Sequence, residues 1–119
     1  GGGLLAWGST APIFHNNLVA WNDGGGIWLN ATADARYNLV YGNSTDWLGS
    51  QGSLTGVAGN ISMAPGVAAA SDDGDWTNDD WHPGSSGAAI VDAGDPGGAS
   101  DADGSRADIG AYGGPWGSW

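Results

Sequence analysis

Apolar residues in this chain come in short alternating groups set between bends rich in glycine and asparagine, and two of these stretches run in the same order. Asn17-Leu18-Val19-Ala20-Trp21-Asn22 returns as Asn38-Leu39-Val40-Tyr41-Gly42-Asn43, so two asparagines, a leucine and a valine recur after 21 residues. A degenerate third copy stands at Asn60-Ile61-Ser62, 22 residues after Asn38. Repeats of this length mean stacked units, and these are too short for helical hairpins. Between the first two copies lie Gly24, Gly25 and Gly26, then Ile27-Trp28-Leu29, whose alternation fits a short strand. Each unit therefore predicts short strands joined by bends.

If each unit completes one circuit, equivalent strands stack in parallel about 4.8 Å apart and like side chains fall above one another. Asn17 then lies over Asn38 and Asn60, and Asn22 over Asn43. A side-chain amide both donates and accepts, so a column of asparagines bonds along the stack where a bend interrupts the backbone ladder. By alternation Asn17, Val19, Ile27 and Leu29 face inward, whereas Leu18, Leu39 and Trp28 face outward.

The pattern divides the chain. Residues 1–66 carry the repeats, with a Gly- and Ser-rich loop leaving the stack after Leu48 and returning at Asn60. Gly1-Gly2-Gly3-Leu4 corresponds to Gly24-Gly25-Gly26-Ile27, so the first coil is expected to be incomplete and to present an open edge. Residues 67–119 show no repeat and read as a cap on the last coil, with an acidic loop, a short apolar strand at Ala88-Ala89-Ile90-Val91 and a turn-rich tail.

Composition narrows the class. Twenty-four glycines among 119 residues, with no Lys, Glu or Cys, argue against helix and rule out a disulfide framework. All 13 acidic residues are Asp, against Arg36 and Arg106, for a formal net charge of −11. Such a surface repels phosphate backbones, so nucleic acid is not an expected partner, and polyuronates are disfavoured for the same reason. Neutral glycans and divalent metals stay open. No stretch approaches the roughly 20 apolar residues of a membrane span.

Two C-terminal segments carry a resemblance. His82-Pro83-Gly84-Ser85-Ser86-Gly87-Ala88-Ala89-Ile90-Val91-Asp92-Ala93-Gly94-Asp95-Pro96 resembles the segment that closes right-handed parallel β-helix proteins of bacterial surfaces, with Ser86-Gly87-Ala88 in place of a single Pro. Asp101-Ala102-Asp103-Gly104-Ser105-Arg106-Ala107-Asp108-Ile109-Gly110-Ala111-Tyr112-Gly113-Gly114 is similar to their terminal segment. That resemblance implies a fold more than an activity, since such proteins include adhesins, surface-anchored proteins and carbohydrate-active enzymes.

Several groups are candidates for chemistry. Asp95, Asp101, Asp103 and Asp108 have the oxygen content of a calcium loop, although no Glu closes it. The competing reading is that Asp103 and Asp108 cap turns and pair with Arg106. Asp75, Trp76, Asp79, Asp80 and Trp81 combine carboxylates with indoles, the composition of a sugar site, or else of a solvated loop whose tryptophans fold back. Eight tryptophans are more than narrow coils hold inside, so some form an exposed contact surface. Catalysis finds little support: there is no Lys base for an eliminating lyase, and Asp23, Asp34 and Asp46 are more in keeping with turns than with the carboxylate pair of a glycosidase. His15 and His82 read as structural. Of three sequons, Asn43 and Asn60 belong to ladder positions, which leaves Asn30 as the glycosylation candidate.

The expectation is an all-β chain, a short right-handed parallel β-helix of two to three coils with an irregular C-terminal cap, located outside the cell or on its surface. Its expected role is that of a non-catalytic structural module associating head-to-tail through the open coil edge, as a homo-oligomer or filament. The alternative is a glycan-binding or glycan-cleaving β-helix fragment acting on neutral polysaccharide. Calcium is compatible with either.

Overall fold

The computed structural model describes residues 2–8, 11–30, 32–71, 73 and 75–119, and these form an all-β chain whose only helical element is a single 3-10 turn at Trp76–Asn78. Seven short strands come first: β1 (Leu4–Ala6), β2 (Ile13–His15), β3 (Leu18–Ala20), β4 (Ile27–Leu29), β5 (Asp34–Arg36), β6 (Leu39–Tyr41) and β7 (Trp47–Leu48). They make three small parallel sheets, β1-β4-β7, β2-β5 and β3-β6, the last extended by a bridge from Leu39 to Ile61. The chain thus visits the three sheets in one order and then repeats it. In β1-β4 and β3-β6 the registers join like to like, with Leu4 on Ile27, Leu18 on Leu39 and Val19 on Val40, whereas in β2-β5 Ile13 pairs with Asp34.

Period-two alternation sets the burial. Ile27 and Leu29 are fully buried while Trp28 between them is 42% exposed. Ala6, Val19, Ile27, Leu29, Ala35, Val40 and Trp47 form one core, with one or more residues from every sheet, and Leu4, Phe14 and Leu54 pack around it. Glycine appears where stacking is tightest. A Cβ at Gly3 would run into the carbonyl of Gly26, and one at Gly26 into that of Asp46.

The bends share a conformation. Asn16, Tyr37 and Ala58 all have φ between 49° and 58°, each one or two residues ahead of Asn17, Asn38 or Asn60. Trp21 (φ 56°) and Gly42 (φ 66°) stand in the same way ahead of Asn22 and Asn43. A left-handed conformation costs a residue with a Cβ roughly 1–2 kcal/mol, so something at each bend must offset it. The asparagine side chains do, by bonding the backbone groups that the bend leaves without a partner.

The C-terminal half differs from expectation in three respects. First, Leu39 lies outside the core formed by Val19, Ile27 and Val40, yet it is fully buried, because Ile90 and Ile109 cover it. Leu18 and Ile61 join that second cluster, so the outer face of β3-β6 is a core surface rather than a solvent surface. Second, residues 67–119 do not pack only against the last of the repeated strands: Gly110 N–H donates to Asn16 O (2.9 Å) and Asp95 N–H to Asn16 Oδ1 (2.7 Å), so the segment reaches back to the bend between β2 and β3. Third, Ala88–Val91 is no strand but consecutive turns, with Ala88 N–H bonding Ser85 O and Val91 N–H bonding Ala88 O. The strands here are β8 (Val67–Ala69) and β9 (Asp80–Pro83), antiparallel across the acidic loop.

Asn38 is fully buried and occupies the middle of a ladder. Asn38→Ala leaves Asn17 N–H, Phe14 O and Asn60 Oδ1 without that partner, at about 1–3 kcal/mol for each buried group that stays unpaired. We expect a loss of about 3–5 kcal/mol in urea denaturation. Asn22→Ala removes only the first rung of the other ladder and should cost about 1 kcal/mol.

Candidate functional site

Two asparagine ladders run through the repeat region. Asn17 donates its backbone N–H (3.0 Å) and its Nδ2 (2.9 Å) to Asn38 Oδ1, and Asn38 does the same to Asn60 Oδ1 at the same two distances. In the second ladder, Asn22 donates to Asn43 Oδ1 (3.0 and 2.8 Å) and Asn43 to Asp46 Oδ1 (3.1 and 2.9 Å). Amide orientation follows from the chemistry. A backbone N–H can only donate, so the atom facing it on the next rung is oxygen.

Both ladders are terminated at their C-terminal end. Asn60 turns its Nδ2 onto Ala35 O and Val57 O, both at 2.8 Å. Asp46 takes the place of a third asparagine in the second ladder, and Ser62 Oγ donates to its other oxygen (3.0 Å). An ionised carboxylate only accepts, so it ends a column without needing a partner of its own. Sequence reasoning missed this rung. Its signal was an Asp three residues beyond Asn43, where the third copy has no second asparagine.

A cleft of about 440 Å³ lies between the outer face of β3, strand β9 and the tail, lined by Asn16, Leu18, Trp81, Ile90, Asp108 and Tyr112 among others. Its aromatic walls are braced. Trp81 packs on Trp21 (centroids 5.9 Å apart), which meets Tyr41 edge-on at 6.4 Å, and Tyr112 stacks on His82 at 3.7 Å. Of the five residues grouped as a sugar site, only Trp81 lines the cleft. Trp76 is 78% exposed. Asp75 caps the 3-10 turn through Thr77 N–H, Asp79 accepts from Ser71 N–H, and Asp80 holds the backbone and ring of His82. Those carboxylates satisfy their own loop. Asp72 and Gly74 of the same loop lie outside the described residues.

Asp95, Asp101, Asp103 and Asp108, weighed as a calcium loop or as turn caps, are found bonded to backbone N–H groups. Among the described residues no group of three or more His, Cys, Asp or Glu side chains is placed to hold a metal. Each carboxylate serves the backbone instead. Asp101 accepts from the N–H groups of Asp108 and Gly114, Asp103 from Ser105, and Asp95 from Gly97. Asp108, almost fully buried, accepts from Asp92 N–H (2.7 Å) and the Trp119 indole (2.7 Å). Nor does Arg106 pair with Asp103 or Asp108: it donates to the Gly94 and Ala93 carbonyls and lies over the Tyr37 ring. Capping won because a run of tight turns offers many backbone donors within reach of each short side chain.

Other candidates are likewise engaged. Asp34 forms a two-pronged pair with Arg36 and approaches His15 Nε2 (3.3 Å), whose Nδ1 lies 3.7 Å from Asp95. With Asp46 in the ladder, two of the three carboxylates considered for a glycosidase pair are occupied. Asn30 Oδ1 accepts from Ser50 N–H (3.1 Å); Ala31 of its sequon lies outside the described residues. No described helix is long and apolar enough to cross a membrane.

Two carboxyls titrate in opposite directions. The Arg36 guanidinium holds Asp34 below 3.8, while burial pushes Asp108 above it against the pull of the Asp92 N–H and the Trp119 indole. The stability that Asp34 lends is therefore present above 3.8 and lost as pH falls through its folded pKa. Asp108 contributes in the reverse sense: its share is full below 3.8 and disappears as pH rises through its own raised pKa. Carboxyl-carbon NMR should find Asp34 titrating below 3.8 and Asp108 above it. Trp119→Phe should move Asp108 further up, since it removes a donor to the charged form.

No family model, curated protein or solved structure matches the chain.

Proposed function

We propose that the chain is a short right-handed parallel β-helix of two to three coils acting outside the cell as a non-catalytic structural module, whose working surface is the outer edge of β1, β2 and β3. The pairing order supports the coil. Three parallel sheets visited in a fixed order, at strand offsets of 20 to 23 residues, are what a coiled path produces, and crossovers between parallel strands are right-handed. The tail segment that resembles bacterial surface β-helix proteins packs on the repeats here: Asp108 caps a turn, Ile109 covers Leu39, and Gly110 bonds Asn16.

The observation that carries the reading is the difference between the two ends. At one, both ladders are closed by Asn60 and Asp46. At the other, no described strand pairs with the outer edges of β1, β2 or β3. An unpaired parallel edge with a fixed register is a template for strand addition. To test it, a second copy of residues 3–23 is placed ahead of Gly3 in the full chain. Docking predicts slow amide exchange in the added residues and a higher denaturation midpoint. An added segment that exchanges like free peptide would overturn the reading.

The cleft favours a second reading, a site for neutral saccharide. Braced indole and phenol faces accept the apolar side of a pyranose ring, and a net charge of −11 disfavours acidic sugars unless a cation bridges. Neutral oligosaccharides should quench tryptophan fluorescence. Trp81→Ala should abolish that response and Trp76→Ala should leave it; unchanged fluorescence in the parent chain would exclude the site.

A further inference from the structure

The ladders have a direction, and their open end has a chemical specificity. Asn17 spends its N–H on Asn38 and its Nδ2 on Asn38 Oδ1 and His15 O; Asn22 spends its own on Asn43 Oδ1 and Ala20 O. Both acceptors of each Nδ2 are oxygens, so the other side-chain atom of Asn17 and of Asn22 is Oδ1. Neither Oδ1 receives a hydrogen bond from any described residue. The open edge therefore presents two acceptors, five residues apart, at the places where every later rung accepts from an asparagine.

Resting on the edge reading above, we propose that this edge selects a strand segment with two asparagines at the same spacing, Asn-x4-Asn. That segment would donate backbone N–H and side-chain amide to Asn17 Oδ1 and Asn22 Oδ1. The spacing is that of Asn17 with Asn22 and of Asn38 with Asn43, so the partner is a coil of this repeat type.

A second copy of this chain does not supply those donors. Stacked head-to-tail, it brings Asp46, whose side chain has no donor, and Asn60, whose Nδ2 is held by Ala35 O and Val57 O and whose N–H is held by Val57 O. Stacked edge-to-edge, it sets Oδ1 against Oδ1. The charge acts in the same direction, because two chains of −11 repel. Neither closed ends nor matching open ends extend the ladder, which narrows the self-association expected from the repeats to chains that carry a further Asn-x4-Asn coil.

The lengthened chain tests this when the asparagines of the added coil are both replaced by alanine. With them in place, amide exchange in the added residues should slow by about 100-fold or more, and replacement should return at least tenfold of that protection. Equal protection in both versions would overturn the selection by asparagine and leave the edge reading standing. Protection in neither would overturn the edge reading itself. An independent measurement uses the chain as it is, by sedimentation and electron microscopy across concentration. It should remain a monomer, and head-to-tail filaments would overturn the proposal.

Discussion

Everything in the repeat region depends on how five sharp bends satisfy their own backbone. Asn16, Trp21, Tyr37, Gly42 and Ala58 take left-handed conformations, and four of the five carry a Cβ that resists it. A bend of this kind removes backbone groups from the sheet ladder just where the next repeat covers them, and a buried N–H without a partner costs more than an average hydrogen bond returns. The asparagine that follows each bend supplies what is missing. Asn38 and Asn43 accept from the rung before and donate to the rung after, while Asn17 and Asn22 begin the columns and Asn60 ends one, so the side-chain column replaces the backbone ladder across the corner. The strands are only two or three residues long on this account, and can be, because the corners hold them in register.

The second dependency is on the outer face of β3-β6. A stack this small has little interior: its core is seven buried residues, two of them alanines. The tail adds a second cluster by laying Ile90 and Ile109 over Leu39, so one sheet is buried on both faces. That arrangement explains the many aspartates in the tail. A segment of consecutive turns has no ladder, and its N–H groups are taken up by Asp95, Asp101, Asp103 and Asp108 in turn. Carboxylates spent in this way point at backbone donors, and among the described residues they form no cluster of three or more.

What could be read from the sequence follows from the same physics. The ladder rungs Asn17, Asn38, Asn60, Asn22 and Asn43 were legible because stacking makes a spatial neighbour of every residue one period away. Trp28 was legible as an outward residue by alternation, but alternation says only which side of a strand a residue takes. It carries no information about what lies on that side, and so Leu39 read as exposed although the tail buries it. Strand β9 was hidden for a different reason: Asp80-Trp81-His82-Pro83 lacks the β-branched residues that mark a strand, and it is held by its antiparallel partner β8. The cleft was illegible because its walls come from β3, β9 and residues 90–112, which no local pattern relates.

The terminal rung at Asp46 shows how one residue type converts a repeat into an end. An asparagine there would accept from Asn43 equally well, but it would carry two amide hydrogens that need acceptors on a further rung, which the third copy of the repeat lacks. An aspartate accepts the same two bonds and asks for nothing beyond them, except the hydroxyl that Ser62 provides. Asn60 reaches the same result by turning its donors back onto Ala35 and Val57. The near end is built the opposite way, with its donors already committed inward and its oxygens left outward. A column that is acceptor-rich at one end and closed at the other can be continued in one direction only, and only by a segment that brings amide hydrogens to it. Direction and selectivity thus come from hydrogen-bond polarity alone, without a shaped pocket or an opposite charge.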